Sequence, residues 1–320
     1  VVKDVPDSWI GTHTKLGEAD GHFLAMPLAK AAAFAGVTGP AGDGRLEAVR
    51  IIEDGPVRTV VEVLCEWGES RAQIIYRIPK GSREIEVEVR VCWNEKDRTL
   101  KWSLGLPAPV AEYQGQTMFG SHSLPADGTE CAFQQWCSAF DLAGSGMAVL
   151  NEGIYAGDCS GNIMRITLLR SPAYSAHAWG ERAYMPKDRF VARMDQGERV
   201  FRFCLLPGKK AELITEVDRR ALELNERPYA FQAFPAGTKH KVLPSIELSC
   251  SSVVLCSLRK EYESIETWIF RLFNPLGHAV VTDIRWMGRD VGQVKLEPYS
   301  IGLWRADGKN LQPIPDMGEV

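Results

Sequence analysis

The 320-residue sequence has no run apolar enough to be read as a membrane span: its longest weakly polar stretch, Phe23 to Val37, is short, alanine-rich and interrupted by Pro27 and Lys30. It has no C-x-x-C pair among its eight cysteines, which argues against a redox motif or a zinc knuckle. Neither charge sign forms a block. With 37 basic and 41 acidic residues and a net charge of −4, no electrostatic footprint for nucleic acid or an anionic membrane is present. G-x-S-x-G, H-E-x-x-H, a P-loop and a dinucleotide-binding glycine motif are all missing, so no catalytic constellation is visible from spacing. His13 and His22, nine residues apart, are too sparse for a metal site and read as surface or packing histidines.

What is there is alternation. The chain is 45% apolar and 24% charged, enough for large cores. Val57, Val61, Val63, Cys65 and Trp67 sit at odd positions against Arg58, Glu62 and Glu66, and Gly68-Glu69-Ser70 turns the chain into Arg71 to Ile78, which predicts a hairpin. Ile85, Val87, Val89, Val91 and Trp93 alternate with Glu84, Glu86, Glu88 and Arg90, a half-buried strand whose glutamate row reads as a solvent face. Residues 1–45 read as irregular, and 104–126 as a long connection with a polar tip at Gly120 to Ser123. Residues 147–174 read as strand, loop, strand: Asn151, Gly153, Gly157, Asp158, Ser160 and Gly161 interrupt two apolar runs. The second run has apolar residues on both faces, so Arg165 and Arg170 need partners.

After Pro207-Gly208 the period changes. Ala211, Leu213, Ile214, Val217, Ala221, Leu222 and Leu224 recur at three and four, predicting one amphipathic helix that ends near Asn225. Short strand signals return from Ser245 to Arg305, the pattern of a second small antiparallel sandwich, and the tail after Asp307 reads as loose. The expected organisation is mainly β: a large unit over 1–207, a helix and connector over 208–244, a small β-sandwich over 245–308 and a tail over 309–320. The cysteines read as reduced thiols of a cytoplasmic protein, with a Cys131 to Cys137 disulfide as the alternative. A chain beginning Val1-Val2 reads as a piece of something longer.

Several short sequences occur in a telling order: Asp7-Ser8-Trp9, Glu53-Asp54-Gly55-Pro56-Val57-Arg58, Arg83-Glu84-Ile85-Glu86, Trp93-Asn94-Glu95-Lys96, Gln135-Trp136, Leu150-Asn151, Leu168-Leu169-Arg170-Ser171-Pro172 and Arg271-Leu272-Phe273-Asn274-Pro275. Together they resemble the C-terminal β region of the glycoside hydrolase family 38 α-mannosidases. The resemblance implies a large antiparallel supersandwich of the galactose-mutarotase type for the first unit. It also implies retaining hydrolysis of terminal α-mannosides by the whole enzyme, through two carboxyl groups about 5 to 5.5 Å apart. In that family the nucleophile, the acid/base carboxylate and a divalent cation, usually zinc, are carried on an N-terminal barrel; none of those residues maps onto a position here. The implied partners are an α-mannoside or oligosaccharide and the chain's own N-terminal barrel, in a cytoplasmic, bacterial protein open to homo-oligomer formation.

The expected contribution of this segment is a non-catalytic one, walling the cleft and scaffolding the barrel. Cleft candidates are Tyr155, Asp158 and Asn162, a ring and hydrogen-bonding groups on an expected loop, with the alternative that Asp158 and Asn162 bond their own backbone. Arg165 and Arg170 either hold sugar hydroxyls or pair with carboxylates such as Glu152 and Asp158. Trp136 is either a sugar-stacking platform or a core filler. Two other readings remain open: a stand-alone carbohydrate-binding module, and an aldose-epimerase-like enzyme using His122 or His177 with Glu152 as acid and base.

Overall fold

The structure is a computed structural model that describes the chain except for residues 5–18, 38–43, 175–189, 233–245, 263, 265–266, 287, 308–309 and 315–320. Asp7-Ser8-Trp9, His13 and His177 therefore lie outside the described residues. Two compact units are distinguished, one made of Val1–Gly115 with Ser123–Lys210, the other of Gln116–His122 with Ala211–Val320.

The first fifteen strands are β1 (Val2–Lys3), β2 (Leu24–Ala25), β3 (Val49–Asp54), β4 (Arg58–Trp67), β5 (Ser70–Pro79), β6 (Ile85–Trp93), β7 (Arg98–Gly105), β8 (Glu112–Thr117), β9 (Gly120–Leu124), β10 (Cys131–Ala132), β11 (Trp136–Phe140), β12 (Ser145–Asn151), β13 (Ala156–Ser160), β14 (Ile163–Arg170) and β15 (Gly197–Lys209). They make a ten-stranded sheet in the order β2-β4-β5-β6-β15-β12-β11-β8-β9, with β3 also on β4, and a five-stranded sheet in the order β1-β7-β14-β13-β10. Every pairing is antiparallel, as the supersandwich expectation requires. The inner faces of the two sheets share one core. Val87, Val89, Val91 and Trp93 of β6 meet it from one sheet, and Trp102 of β7 with Met164 and Ile166 of β14 from the other. A bulge at Thr167/Leu169 lets Leu168 and Leu169 both turn inward, where strict alternation would separate them.

The β4–β5 hairpin forms as expected, with Gly68 at φ +53° in its turn, a conformation that suits glycine. The expected polarity of β4 is corrected. Val60, Glu62 and Leu64 are buried, whereas Val61 and Val63 are only half-buried. The cause lies in residues 1–45, which are not wholly irregular: Leu28–Phe34 forms a helix, α1, driven by its alanines and starting directly after Pro27. Met26, Ala31 and Ala48 pack with Leu64 on that face, and Arg50 and Gln73 hold the Glu62 carboxylate at 2.7 and 2.6 Å. The glutamate row of β6 does line a polar face, laced by Arg202–Glu88 and Arg90–Glu198 pairs. Within the expected 104–126 connection the chain instead folds β8 and β9, with Phe119 at φ +55° between them.

β15 runs through Pro207-Gly208 to Lys209. A proline is tolerated there because β6 has already left β15 at Leu205, so the proline nitrogen faces no ladder partner on that side. The expected single helix is two: α2 (Lys210–Leu213) and α3 (Val217–Asn225). Thr215 breaks it, its N–H and hydroxyl both donating to the Glu212 carbonyl at 3.2 and 2.7 Å, while Glu216 N–H donates to Leu213, three residues back.

The second unit contains β16 (Ile246–Leu248), β17 (Val254–Lys260), β18 (Trp268–Phe273), β19 (Val280–Trp286), β20 (Arg289–Leu296), β21 (Ile301–Ala306) and β22 (Leu311–Pro313). Sheets β16-β19-β20 and β17-β18-β21-β22 enclose a core around Phe270, Leu272, Ile284, Trp286 and Leu296. This is the expected small sandwich. The expected loose tail contributes β22, an edge strand on β21. Among the described residues no helix is long and apolar enough to cross a membrane.

Candidate functional site

The sequence candidates converge on the five-stranded sheet. On β7, Leu100, Trp102 and Leu104 point to the core, which sends Thr99, Lys101 and Ser103 to the other face. Cross-strand register then lines Asp158 up with Arg165 and Arg165 with Ser103, and sets Thr167 beside Lys101. A ladder of polar side chains results.

Asp158 is fully buried. Its Oδ1 accepts from Arg165 Nε at 2.7 Å and lies 2.6 Å from Nη2, and its Oδ2 accepts from the buried Lys101 Nζ. Lys101 also donates to Glu130, whose second oxygen accepts from the Thr167 hydroxyl. Two carboxylates thus face two cations, and the cluster is charge-balanced. Burial of charge is tolerated only with such pairing. Further along the same strands, Arg170 grips both oxygens of Asp4 at 2.7 and 2.8 Å, and the Thr99 hydroxyl donates to Asp4 at 2.8 Å.

The expected Tyr155 to Asn162 loop is corrected: Ala156–Ser160 is β13, paired with β14, and only Gly161 and Asn162 form the turn, with Gly161 at φ +61°. Asn162 bonds neither its own turn nor a free cleft; its Nδ2 donates to the Leu106 carbonyl at 3.0 Å, and Leu106 N–H returns a bond to the Asn162 carbonyl at 2.8 Å. Tyr155 is exposed. Arg165 takes Asp158 as its partner, one of the pairings weighed from the sequence, whereas Glu152 meets Arg202 at 3.4 Å. Trp136 is fully buried in β11, which corrects the stacking-platform alternative, because no ring face is left for a sugar. His122 is exposed. Lys101, Glu130 and Asp4 escaped sequence reading, although the alternation of Thr99, Lys101 and Ser103 with Leu100, Trp102 and Leu104 marks them as a face of their own.

This arrangement binds charge to charge and leaves neither carboxylate of the cluster without a cation. Among the described residues no group of three or more His, Cys, Asp or Glu side chains is placed to hold a metal ion. None of the eight cysteines is joined in a disulfide. Burial pushes Cys65 up to about 11, and burial together with the Asp158 charge pushes Cys159 up to about 11; burial also raises Cys137. None of these three is an activated nucleophile.

Thiol titration should follow this order. At pH 8, exposed Cys256 reacts first with an aromatic disulfide reagent, and buried Cys65, Cys137, Cys159 and Cys204 react only on unfolding. Since the fold keeps Cys65 and Cys159 protonated to about 11 while an ordinary thiol titrates at 9.0, stability is full below pH 9 and falls as the pH rises toward 11. Urea midpoints measured across that window check the slope.

Residues 35–178 match the family model described as the glycosyl hydrolases family 38 C-terminal domain. Over residues 35–178 the chain is thus similar to that C-terminal domain. Its span takes in the Lys101–Asp158–Arg165 cluster and most of both sheets. Two solved structures share the fold: an alpha-mannosidase from Enterococcus faecalis V583 (14% identity, TM-score 0.66, 80% of this chain and 34% of that chain) and a protein in the glycosyl hydrolase family 38 from Enterococcus faecalis (14% identity, TM-score 0.68, 80% and 36%). The chain spans about a third of the length of these relatives. No curated protein matches it.

Proposed function

We propose that this chain is the non-catalytic C-terminal β region of a retaining α-mannosidase, which completes the wall of the substrate cleft and scaffolds a catalytic barrel that precedes it. The observation that carries this reading is the state of the polar cluster inside the family 38 domain. A glycosidase needs one carboxyl free to protonate a leaving group and a second free to attack or to activate water. Asp158 and Glu130 are instead both occupied by Lys101, and Asp158 also by Arg165. The acid, the nucleophile and a divalent cation, zinc in this reading, belong to the preceding region, as does the main grip on the α-mannoside or oligosaccharide. Tyr155, exposed at the start of β13, is the side chain of this domain best presented to an outer sugar. Cysteines without disulfides fit a reducing compartment, and we place the protein in the bacterial cytoplasm.

Hydrolysis of an aryl α-mannoside with zinc present tests the reading. The 320-residue chain is expected to be inactive and the polypeptide extended upstream, as its gene encodes it, active. Zinc-dependent turnover by the chain itself, or a folded extended polypeptide that does not turn over, overturns it.

A further inference from the structure

The β3–β4–β5 end of the large sheet has apolar side chains on both faces. That pattern belongs to strands buried on both sides. On one face α1 and its neighbours cover Leu64. On the other, register aligns two apolar rows: Val49 beside Val63 beside Ile74, and Ile51 beside Val61 beside Tyr76. Ile74 and Tyr76 reach the edge of the main core, but Val61 and Val63 lie outside it, and Val49 and Ile51 are 56% and 64% exposed. The ten-stranded sheet is wider than the five-stranded sheet it packs on, and this end of its inner face is the overhang. Paired charges rim it, Arg58 with Glu53 at 2.9 Å and Lys80 with Asp54 at 3.2 Å, so the patch has a dry centre and a satisfied polar edge, the anatomy of a protein interface.

We propose that this apolar overhang is a docking surface for the region of the same polypeptide that precedes the chain. The occupant is argued from length: the solved proteins of this fold carry about two thirds of their chain beyond the part matched here, and an apolar sheet face with a charge-neutral rim fits a covalently attached, permanent partner. The inference rests on the proposed function only in taking an upstream region to exist.

Side-chain footprinting with a photoactivated carbene tests it, comparing the 320-residue chain with the upstream-extended polypeptide. Labelling of Val49, Ile51 and Val63 is expected to fall about five-fold or more in the longer protein, as in the water-excluded centre of an interface. The Ile51→Asp variant is expected to shift the melting temperature of the shorter chain by less than about 2 °C, as for an exposed site, and that of the longer protein by about 4 °C or more. Equal labelling in both proteins overturns the proposal even where α-mannosidase activity is found. Protection already present in the shorter chain overturns it too: protection that grows with concentration assigns the face to a second copy, and protection independent of concentration assigns it to the chain's own residues. A gene that encodes nothing before Val1 overturns this proposal and the proposed function together, whereas footprint protection in an inactive extended protein leaves the interface standing and the mannosidase reading refuted.

Discussion

Replacing Asp158 by alanine is expected to cost about 3–5 kcal/mol of folding stability, measured by urea denaturation, because it leaves charge buried without its counter-charge. The carboxylate is fully buried and serves two cations at once. Lys101, whose side chain is 3% exposed, then keeps only Glu130, and three strands that meet at this cluster lose their common polar tie. Arg165→Ala is the informative contrast. Its side chain is 33% exposed, and its removal leaves the Asp158–Lys101 pair intact, so the expected cost is about 1 kcal/mol. The inequality follows from which partner can reach water when abandoned. Equal costs, or a near-neutral Asp158→Ala, would show that water enters the cluster in solution and that its charges are not held by each other.

The same cluster shows where sequence reading stops. Strand β6 is legible because a single sheet face is wet, so burial and alternation coincide at Val87, Val89 and Val91. Strand β13 is not. Ala156-Gly157-Asp158-Cys159-Ser160 has weak strand propensity and turn-like composition, and it is held in the sheet by β14 and by the Asp158 pairs rather than by its own preferences. Lys101 and Asp158 are 57 residues apart, a separation no periodic pattern reports. Glu62 illustrates the converse: alternation sets it on the face opposite Val61 and Val63, and that face is buried at Glu62 because Arg50 on β3 and Gln73 on β5 satisfy its carboxylate. The family resemblance was legible because short sequences in a fixed order survive where propensity is ambiguous. What it carried was the likeness of the domain, not the pairing of its side chains.

Trp136→Ala is expected to destabilise the protein by about 3–5 kcal/mol and to remove a near-ultraviolet circular dichroism band, the cost of truncating a large core side chain. All five residues of β11 are buried. Cys137 and Ala139 face the main core, and Trp136, Ser138 and Phe140 lie on the other side of the strand, with Leu150 the buried cross-strand neighbour of Trp136. A ring removed from such a position leaves a cavity that neighbouring strands, locked by their ladders, close only in part. A sugar platform would behave differently. Its truncation would leave the unfolding midpoint nearly unchanged and would lower glycan affinity in the extended enzyme instead. Trp136→Phe sharpens the distinction, since a smaller ring refills part of the volume and should recover much of the stability. Recovery of glycan binding without any change of stability would put the ring back at the surface, against its complete burial.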